Sequence, residues 1–201
     1  MAALVSLKIS LKITLKAELL LTKSPSEQFS SLALNADLLK NLSTLGYEKM
    51  TPIQALSLPE ILAGKDVIGQ GKTGSGKTAA FGLGLLNKLN VKRFRIQSIV
   101  LCPTRELADQ VAKDIRNLAR AIHNIKVLTL CGGTPFGPQI GSLEHGAHII
   151  VGTPGRIEEH VIKGTLKLDD VELLVLDEAD RMLDMGFQAA LDNIIERTPK
   201  S

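Results

Sequence analysis

The amino-acid sequence predicts an α/β fold in which a parallel sheet is covered by helices on both faces. Short apolar runs rich in β-branched residues alternate along the chain with longer amphipathic segments. The runs are apolar at nearly every position, as expected of strands that are buried on both faces. Strands that alternate with helices favour right-handed crossover connections within one parallel sheet.

The N-terminal stretch, residues 1–28, differs from the rest of the chain. Apolar residues at positions 7, 9, 11, 13 and 15 alternate with polar residues, which is typical of an amphipathic strand. The stretch is poor in acidic residues, so a targeting peptide is an alternative, but it contains no arginine and lacks a helical period. We therefore expect an N-terminal extension or linker over 1–28, followed by one domain over 29–201.

Two helices are predicted ahead of the sheet. Asn35 is a suitable N-cap for a helix that ends at Gly46. Thr51 followed by Pro52 marks a second helix start, because proline is favoured at the first helical position.

Five apolar runs are predicted strands: 66–69, 98–102, 126–131, 148–152 and 173–177. The clearest helix between them is the amphipathic segment 106–122. Chemically distinctive residues follow each run, in the order GKTGSGKT, PTREL, GG, TPGR and DEAD. Because ligands of such sheets bind beyond the carboxyl ends of the strands, these segments define the expected functional edge.

Composition excludes several classes of function. The net charge is only +3, and aromatic residues make up 3% of the chain with no tryptophan, which argues against a platform that stacks unpaired bases. Cys102 and Cys131 form neither a disulfide framework nor a metal site, so we expect a reducing, cytoplasmic compartment. No apolar stretch is long enough to span a bilayer, so no membrane partner is expected.

The segment GKTGSGKT, residues 71–78, fits the phosphate-binding pattern of P-loop proteins. Its glycines allow backbone amides to turn toward phosphate oxygens, and the following helix directs its positive end at the same anion. Lys77 can reach the β and γ phosphates, and the Thr78 hydroxyl can bind Mg²⁺. We expect the amides from Thr73 to Thr78, through Gly74, Ser75 and Gly76, to hold the phosphates.

A dinucleotide-binding fingerprint is the rival interpretation, since Gly69, Gly71 and Gly74 also follow a predicted strand. That fingerprint requires an acidic residue at the end of the next strand, where this chain has Cys102 and Pro103. The lysine and threonine of the loop favour a nucleoside triphosphate instead.

The run LLVLDEAD places two carboxylates at the end of an apolar strand. We expect Asp177 to hold hydrated Mg²⁺ and Glu178 to polarise the attacking water. Adjacent acidic residues usually form a solvated surface, but their position after a buried strand favours catalysis.

Together these segments resemble the first RecA-like domain of DEAD-box RNA helicases, a P-loop NTPase fold. GYEKMTPIQ, residues 46–54, resembles the adenine-recognition motif of that family, with Phe29 as its upstream aromatic residue. Connecting segments such as FGLGLL and DEADRMLDMGF are most similar to the DbpA subgroup, which is associated with ribosomal RNA. One departure is Gly71, where the family usually has alanine; we expect a slightly looser loop with its phosphate contacts intact.

The resemblance implies a role for each matching residue. Gln54 would bond the adenine edge through both ends of its amide, Phe29 would stack on the adenine, and Asp180 would couple the metal-bearing strand to the nucleotide site. The RNA backbone would be bound by residues of three strand-end segments: Pro103, Thr104, Arg105, Gly132, Gly133, Thr153, Gly155 and Arg156. For Thr153 and Arg156, an ordinary helix-capping role is the alternative.

The resemblance also implies partners: ATP, Mg²⁺, RNA of ribosomal type, and a second RecA-like domain that supplies arginines to the transition state. The sequence ends at Ser201, ahead of the family's SAT motif, so we expect little turnover by this segment alone. We also expect runs 66–69 and 173–177 to lack the strand that lies between them in the family. A scaffold that binds RNA without turnover and a different P-loop ATPase remain alternatives.

Overall fold

A computed structural model describes residues 28–199 of the chain. These residues form two compact units, which comprise residues 28–88 and residues 89–199. The alternating segment at 7–15 lies outside the described residues.

The first unit consists of a short 3-10 helix, Phe29–Ser31, and three α-helices: α1 (Ala36–Thr44), α2 (Pro52–Leu62) and α3 (Lys77–Lys88). Both predicted helix starts are confirmed. Asn35 occupies the cap position of α1, although its side-chain amide donates to the carbonyl of Asn87 at 3.4 Å rather than capping the helix. Gly46 follows the end of α1 with φ +77°, a conformation that glycine adopts without strain.

The run 66–69, predicted as a strand, forms none. A strand requires ladder partners for its backbone groups, and no described segment pairs with this run. The prediction of five strands was therefore wrong by one, although the run still leads directly into the phosphate loop, residues 71–78.

The second unit is a four-stranded sheet with five helices, here given in chain order: β1 (Ser98–Leu101), α4 (Arg105–Leu118), β2 (Val127–Leu130), α5 (Phe136–Glu144), β3 (Ile149–Gly152), α6 (Pro154–Ile162), β4 (Leu173–Leu176), α7 (Ala179–Asp184) and α8 (Gln188–Glu196). The strand order is β2-β3-β1-β4, and all pairs are parallel. Four of the five predicted strands are thus confirmed, as is the parallel α/β fold.

Helices cover both faces of this sheet. On one face, Ile99 of β1 and Ile150 of β3 pack in a buried cluster with residues of α6, α7 and α8. Their neighbours along each strand point to the opposite face, because side chains alternate in a strand. There α4 packs against β2 and β3, and Arg116 of α4 contacts Thr129 of β2.

The parallel register brings the carboxyl ends of all four strands to one edge. Leu101 pairs with Gly152 and with Leu176, while Leu130 also pairs with Gly152. The segments that follow these four residues are therefore neighbours at this edge. No helix within residues 28–199 is long and apolar enough to cross a membrane.

Candidate functional site

The phosphate loop adopts the glycine-dependent geometry that its sequence predicts. Gly74 and Gly76 have φ angles of +80° and +96°, and α3 begins at Lys77. Within the described residues, the backbone amides of Gly74 and Gly76 have no hydrogen-bond acceptor. These open amides, followed at once by the positive end of a helix, form an arrangement suited to an anion.

Thr51 and Gln54 join the start of α2 to the phosphate loop. The Gln54 side-chain oxygen accepts from the Thr51 amide at 2.9 Å, which closes a capping box, and its Nε2 donates to the Gly76 carbonyl at 3.1 Å. The Thr51 hydroxyl donates to the Ser75 carbonyl at 2.8 Å. A Cβ on Gly76 would lie only 2.5 Å from Gln54 Nε2, so glycine is required for this approach.

Gln54 is 2% exposed, yet its amide is not saturated by these two bonds. A glutamine amide offers two donors and two acceptor positions. The capping box uses one acceptor position and the bond to Gly76 uses one donor, so one of each remains.

Lys77 lies over the phosphate loop. Its ammonium group donates to the carbonyls of Gly71 and, at 3.0 Å, of Lys72. The Lys77 side chain is therefore held at the phosphate loop, where the sequence pattern predicts that it contacts phosphate.

Ser75 carries a buried hydroxyl oxygen with no hydrogen-bond partner among the described residues. A Cβ on Gly71 would lie 2.8 Å from this oxygen. Gly71, which stands where the family usually has alanine, therefore leaves room for the Ser75 side chain. An unpartnered buried hydroxyl inside a phosphate loop fits a site that bonds a ligand.

Phe29 is a core residue of the first unit and is only 4% exposed. Its ring meets that of Tyr47 edge to face, with 6.1 Å between centroids. Its proposed stacking on a base stays a prediction.

The acidic segment follows β4 as predicted. Asp177 is 8% exposed and its amide donates to the Leu101 carbonyl of β1. Glu178 has a left-handed backbone, with φ 53° and ψ 51°, which is uncommon for a residue other than glycine and is often found at functional sites. Its carboxylate accepts from Arg181 at 3.1 Å. Asp180 is exposed in α7, and its coupling role stays a prediction.

Two buried cysteines lie at the same edge of the sheet. Burial raises the pKa of the Cys102 thiol well above its usual value, and the Asp177 carboxylate raises it further. Burial and the Asp109 carboxylate raise the pKa of the Cys131 thiol to about 11. Both thiols are therefore held in the protonated form, which is a poor nucleophile.

The segment after β1 meets the glycine loop, which we define as residues 131–134 after β2. Thr104 caps α4 by accepting from the Leu107 amide at 3.3 Å, and Pro103 beside it is buried. The Arg105 guanidinium lies 2.5 Å from the position that a Cβ on Gly133 would occupy. Gly133 has φ +77°, so both its backbone and its contact with Arg105 require glycine.

The segment after β3 meets the same loop. The Thr153 hydroxyl accepts from the Gly132 amide at 3.4 Å, and Arg156 donates to the Thr134 carbonyl at 3.0 Å. Gly155 is exposed at the first turn of α6. The structure thus brings together the three strand-end segments for which the sequence predicts RNA contacts. Thr153 occupies the N-cap position of α6, but its side chain makes no capping hydrogen bond to that helix.

Two residues at this edge were missed by the sequence analysis. Gln139 of α5 contacts the glycine loop and Arg156, while His160 of α6 is fully buried and contacts Gln139. Burial and the nearby Arg156 lower the pKa of His160 to about 4. No sequence pattern distinguishes either residue from the other glutamines and histidines of the chain.

Comparisons with known proteins agree with this geometry. Residues 51–201 match the family model described as DEAD/DEAH box helicase. The chain is 63% identical over 163 residues to the ATP-dependent RNA helicase DbpA of Escherichia coli, covering 81% of this chain and 36% of that protein. It is 46% identical over 171 residues to the DEAD-box ATP-dependent RNA helicase CshA of Geobacillus kaustophilus, covering 85% of this chain and 36% of that protein.

A solved structure shares the fold. A DEAD box protein from the hyperthermophile Methanococcus jannaschii superposes with a TM-score of 0.82 at 41% identity, covering 86% of this chain and 47% of that chain. The matched part of the chain spans about a third of the length of each of the two curated relatives, DbpA and CshA. Because the family model covers three quarters of the chain, the chain belongs to the DEAD/DEAH box helicase family.

Proposed function

We propose that this chain binds ATP and RNA as part of an ATP-dependent RNA helicase that remodels RNA duplexes. The observation that carries the proposal is the attachment of Gln54 to the phosphate loop, which joins a base-reading side chain to the phosphate-binding amides. Triphosphate binding alone does not require such a glutamine. The two curated relatives, DbpA and CshA, are both named ATP-dependent RNA helicases.

Adenine recognition follows from the unused positions of the Gln54 amide. Adenine presents one acceptor and one donor side by side, whereas guanine presents two acceptors at the same edge. One donor and one acceptor remain on Gln54, and this pair matches adenine. The phosphates would be bound by the loop amides and Lys77, with Phe29 proposed to stack on the base.

Hydrolysis would use residues from the end of β4. Asp177 and the Thr78 hydroxyl offer hard oxygen ligands of the kind that Mg²⁺ prefers while it keeps several waters. A bound Mg²⁺ would neutralise charge on the phosphate oxygens. We propose that Glu178 accepts a hydrogen bond from the attacking water and that Asp180 couples this segment to the nucleotide.

RNA would be bound by the strand-end segments of the second unit. Arg105 and Arg156 supply charge, and the glycine loop supplies backbone amides to phosphate and sugar oxygens. Contacts of this kind hold an RNA strand without reading its sequence. Pro103, which is buried, would act by shaping the turn.

The finer assignments rest on the resemblance to relatives. We propose ribosomal RNA as the target and its maturation as the process, because the connecting segments resemble the DbpA subgroup. The family mechanism calls for a second RecA-like domain as partner. The two free cysteines support a cytoplasmic location.

Titration calorimetry of the chain with ATP and with GTP tests the nucleotide proposal. Thr51→Val removes the bond to the Ser75 carbonyl but leaves Gln54 intact, so it should weaken the binding of ATP and of GTP equally. Gln54→Ala should weaken ATP binding more than Thr51→Val does, and it should abolish the preference for ATP over GTP. An unchanged preference in Gln54→Ala would refute adenine reading and favour a P-loop ATPase of another class.

A scaffold that binds RNA without turnover is the competing function. Joining the chain to a second RecA-like domain of a relative and measuring RNA-stimulated ATP hydrolysis separates the two. Stimulated hydrolysis that is lost in Glu178→Gln supports the helicase proposal. RNA binding without hydrolysis in the joined protein would support the scaffold.

A further inference from the structure

Gln139 makes four hydrogen bonds within the second unit. Its Nε2 donates to the Cys131 carbonyl at 3.1 Å and to the Thr134 hydroxyl at 2.7 Å, both in the glycine loop. Its Oε1 accepts from Arg156 Nη1 at 3.0 Å and lies 2.8 Å from His160 Nε2. Two donors and two acceptor positions are all that a glutamine amide has. The amide is therefore saturated and has no bonding position left for a ligand.

The orientation of the Gln139 amide is fixed by its partners. Arg156 can only donate, so the oxygen must face the guanidinium. His160 then donates from Nε2, and its Nδ1 lies 2.8 Å from the Thr165 hydroxyl, which donates to the His160 carbonyl at 3.1 Å. The Phe136 ring stacks on His160, with 4.1 Å between centroids and 16° between planes, so the imidazole is held on its face as well.

This cluster holds the Arg156 guanidinium by two of its three nitrogens. Nη1 donates to the Thr134 carbonyl and to Gln139, each at 3.0 Å, and Nε lies 3.1 Å from Glu159 Oε2. Nη2 has no partner among residues 28–199. The side chain is 12% exposed, and Nη2 is absent from the fully buried unpartnered atoms of these residues, so it reaches solvent.

We propose that Gln139 is a positioning residue for RNA binding: it locks the glycine loop to Arg156 so that Nη2 is directed at an RNA phosphate. Gln139 does not contact RNA itself. The inference rests on the proposed function, and it adds a residue from α5, outside the segments that the family motifs cover. No shorter or charged side chain reproduces the arrangement, because asparagine does not reach and glutamate lacks both donors.

Fluorescence anisotropy of single-stranded RNA, titrated with the full chain over a range of salt concentrations, tests the proposal. Gln139→Met keeps the side-chain length and removes all four hydrogen bonds. We expect it to weaken RNA binding about fivefold to tenfold and to reduce the salt dependence by about one phosphate contact, a slope change of roughly 0.7 for single strands. Gln188→Met is the matched control, since Gln188 of α8 makes a single hydrogen bond to Asp192 at 2.8 Å.

A double-mutant cycle with Arg156→Ala separates positioning from direct contact. If Gln139 acts through Arg156, the double variant should bind RNA no more weakly than Arg156→Ala alone. Additive losses would overturn the proposal, because they would mean that Gln139 contacts RNA or acts elsewhere. A salt dependence in Gln139→Met equal to that of the wild type would overturn it as well.

A second measurement does not depend on RNA. In NMR spectra of the guanidinium nitrogens, hindered rotation should give Arg156 separate Nη signals in the wild type and in Gln188→Met. In Gln139→Met these signals should merge, and separate signals there would overturn the positioning role. Absence of RNA binding by the wild type would instead count against the proposed function, while this NMR test would still decide on Gln139.

Discussion

Acid should destabilise the second unit through His160. This residue is fully buried, and burial together with Arg156 lowers its pKa from 6.5 to about 4. In the unfolded chain the imidazole takes up a proton near its ordinary pKa, whereas the folded chain resists protonation until pH falls to about 4. The stabilisation is therefore complete above the unfolded pKa and is lost progressively below it. The pKa difference corresponds to about 3 kcal/mol in total, of which about 2 kcal/mol is lost by about pH 5.

Urea unfolding at several pH values between about 7.5 and 4.5 measures this loss. His160→Gln removes the titrating group, so its free energy of unfolding should be lower at neutral pH but fall less steeply with acid. The difference between the two slopes isolates His160 from other titrating groups. His145→Gln is a control for the substitution itself, because His145 is exposed. Parallel curves for the wild type and His160→Gln would refute the reasoning.

Three further predictions concern the nucleotide-site residues and the glycine loop. Lys77→Ala should weaken ATP binding at least about tenfold, because it removes a charge-assisted contact to phosphate. Glu178→Gln should leave ATP binding unchanged, because we propose that Glu178 bonds the attacking water. Calorimetry measures both affinities, and loss of ATP binding in Glu178→Gln would contradict the role proposed for Glu178. Gly76→Ala should lower the free energy of unfolding by about 1–3 kcal/mol, because its φ is +96° and its Cβ would lie 2.5 Å from Gln54 Nε2; an unchanged urea midpoint would contradict this. At neutral pH, Cys131 should react with iodoacetamide about a hundredfold more slowly than a thiol of pKa 9.0, because its pKa is about 11; rapid alkylation followed by mass spectrometry would show otherwise.

The strands of the second unit could be predicted well because each one is marked by residues that lie within it or directly after it. Each apolar run ended in a recognisable motif, and four observed strands begin and end within one residue of the predicted bounds. The position of the acidic pair after β4 followed from that pattern alone. A run that is apolar at nearly every position is recognisable from its own residues, so its end and the residues beyond it could be located.

Features that depend on distant partners could not be predicted in the same way. Run 66–69 contains two β-branched apolar residues, Val67 and Ile68, but strand formation depends on a pairing neighbour that its own residues do not specify. Gln139 likewise lies in a stretch with no acid-base or metal-binding pattern. Its importance arises from contacts with residues 5 to 21 positions away, and Gln188 looks no different in the sequence.

The bond between Gln54 and the Gly76 carbonyl has a dynamic consequence. The same side chain closes the first turn of α2 and holds the phosphate loop, so fraying of that turn must also release the loop. Amide protons in the two segments should therefore exchange with solvent at similar rates, as one cooperative opening unit. A ligand that tightens the loop would then slow exchange at the start of a helix that it need not touch, and heat or denaturant that frays the helix would loosen ligand binding before the unit unfolds.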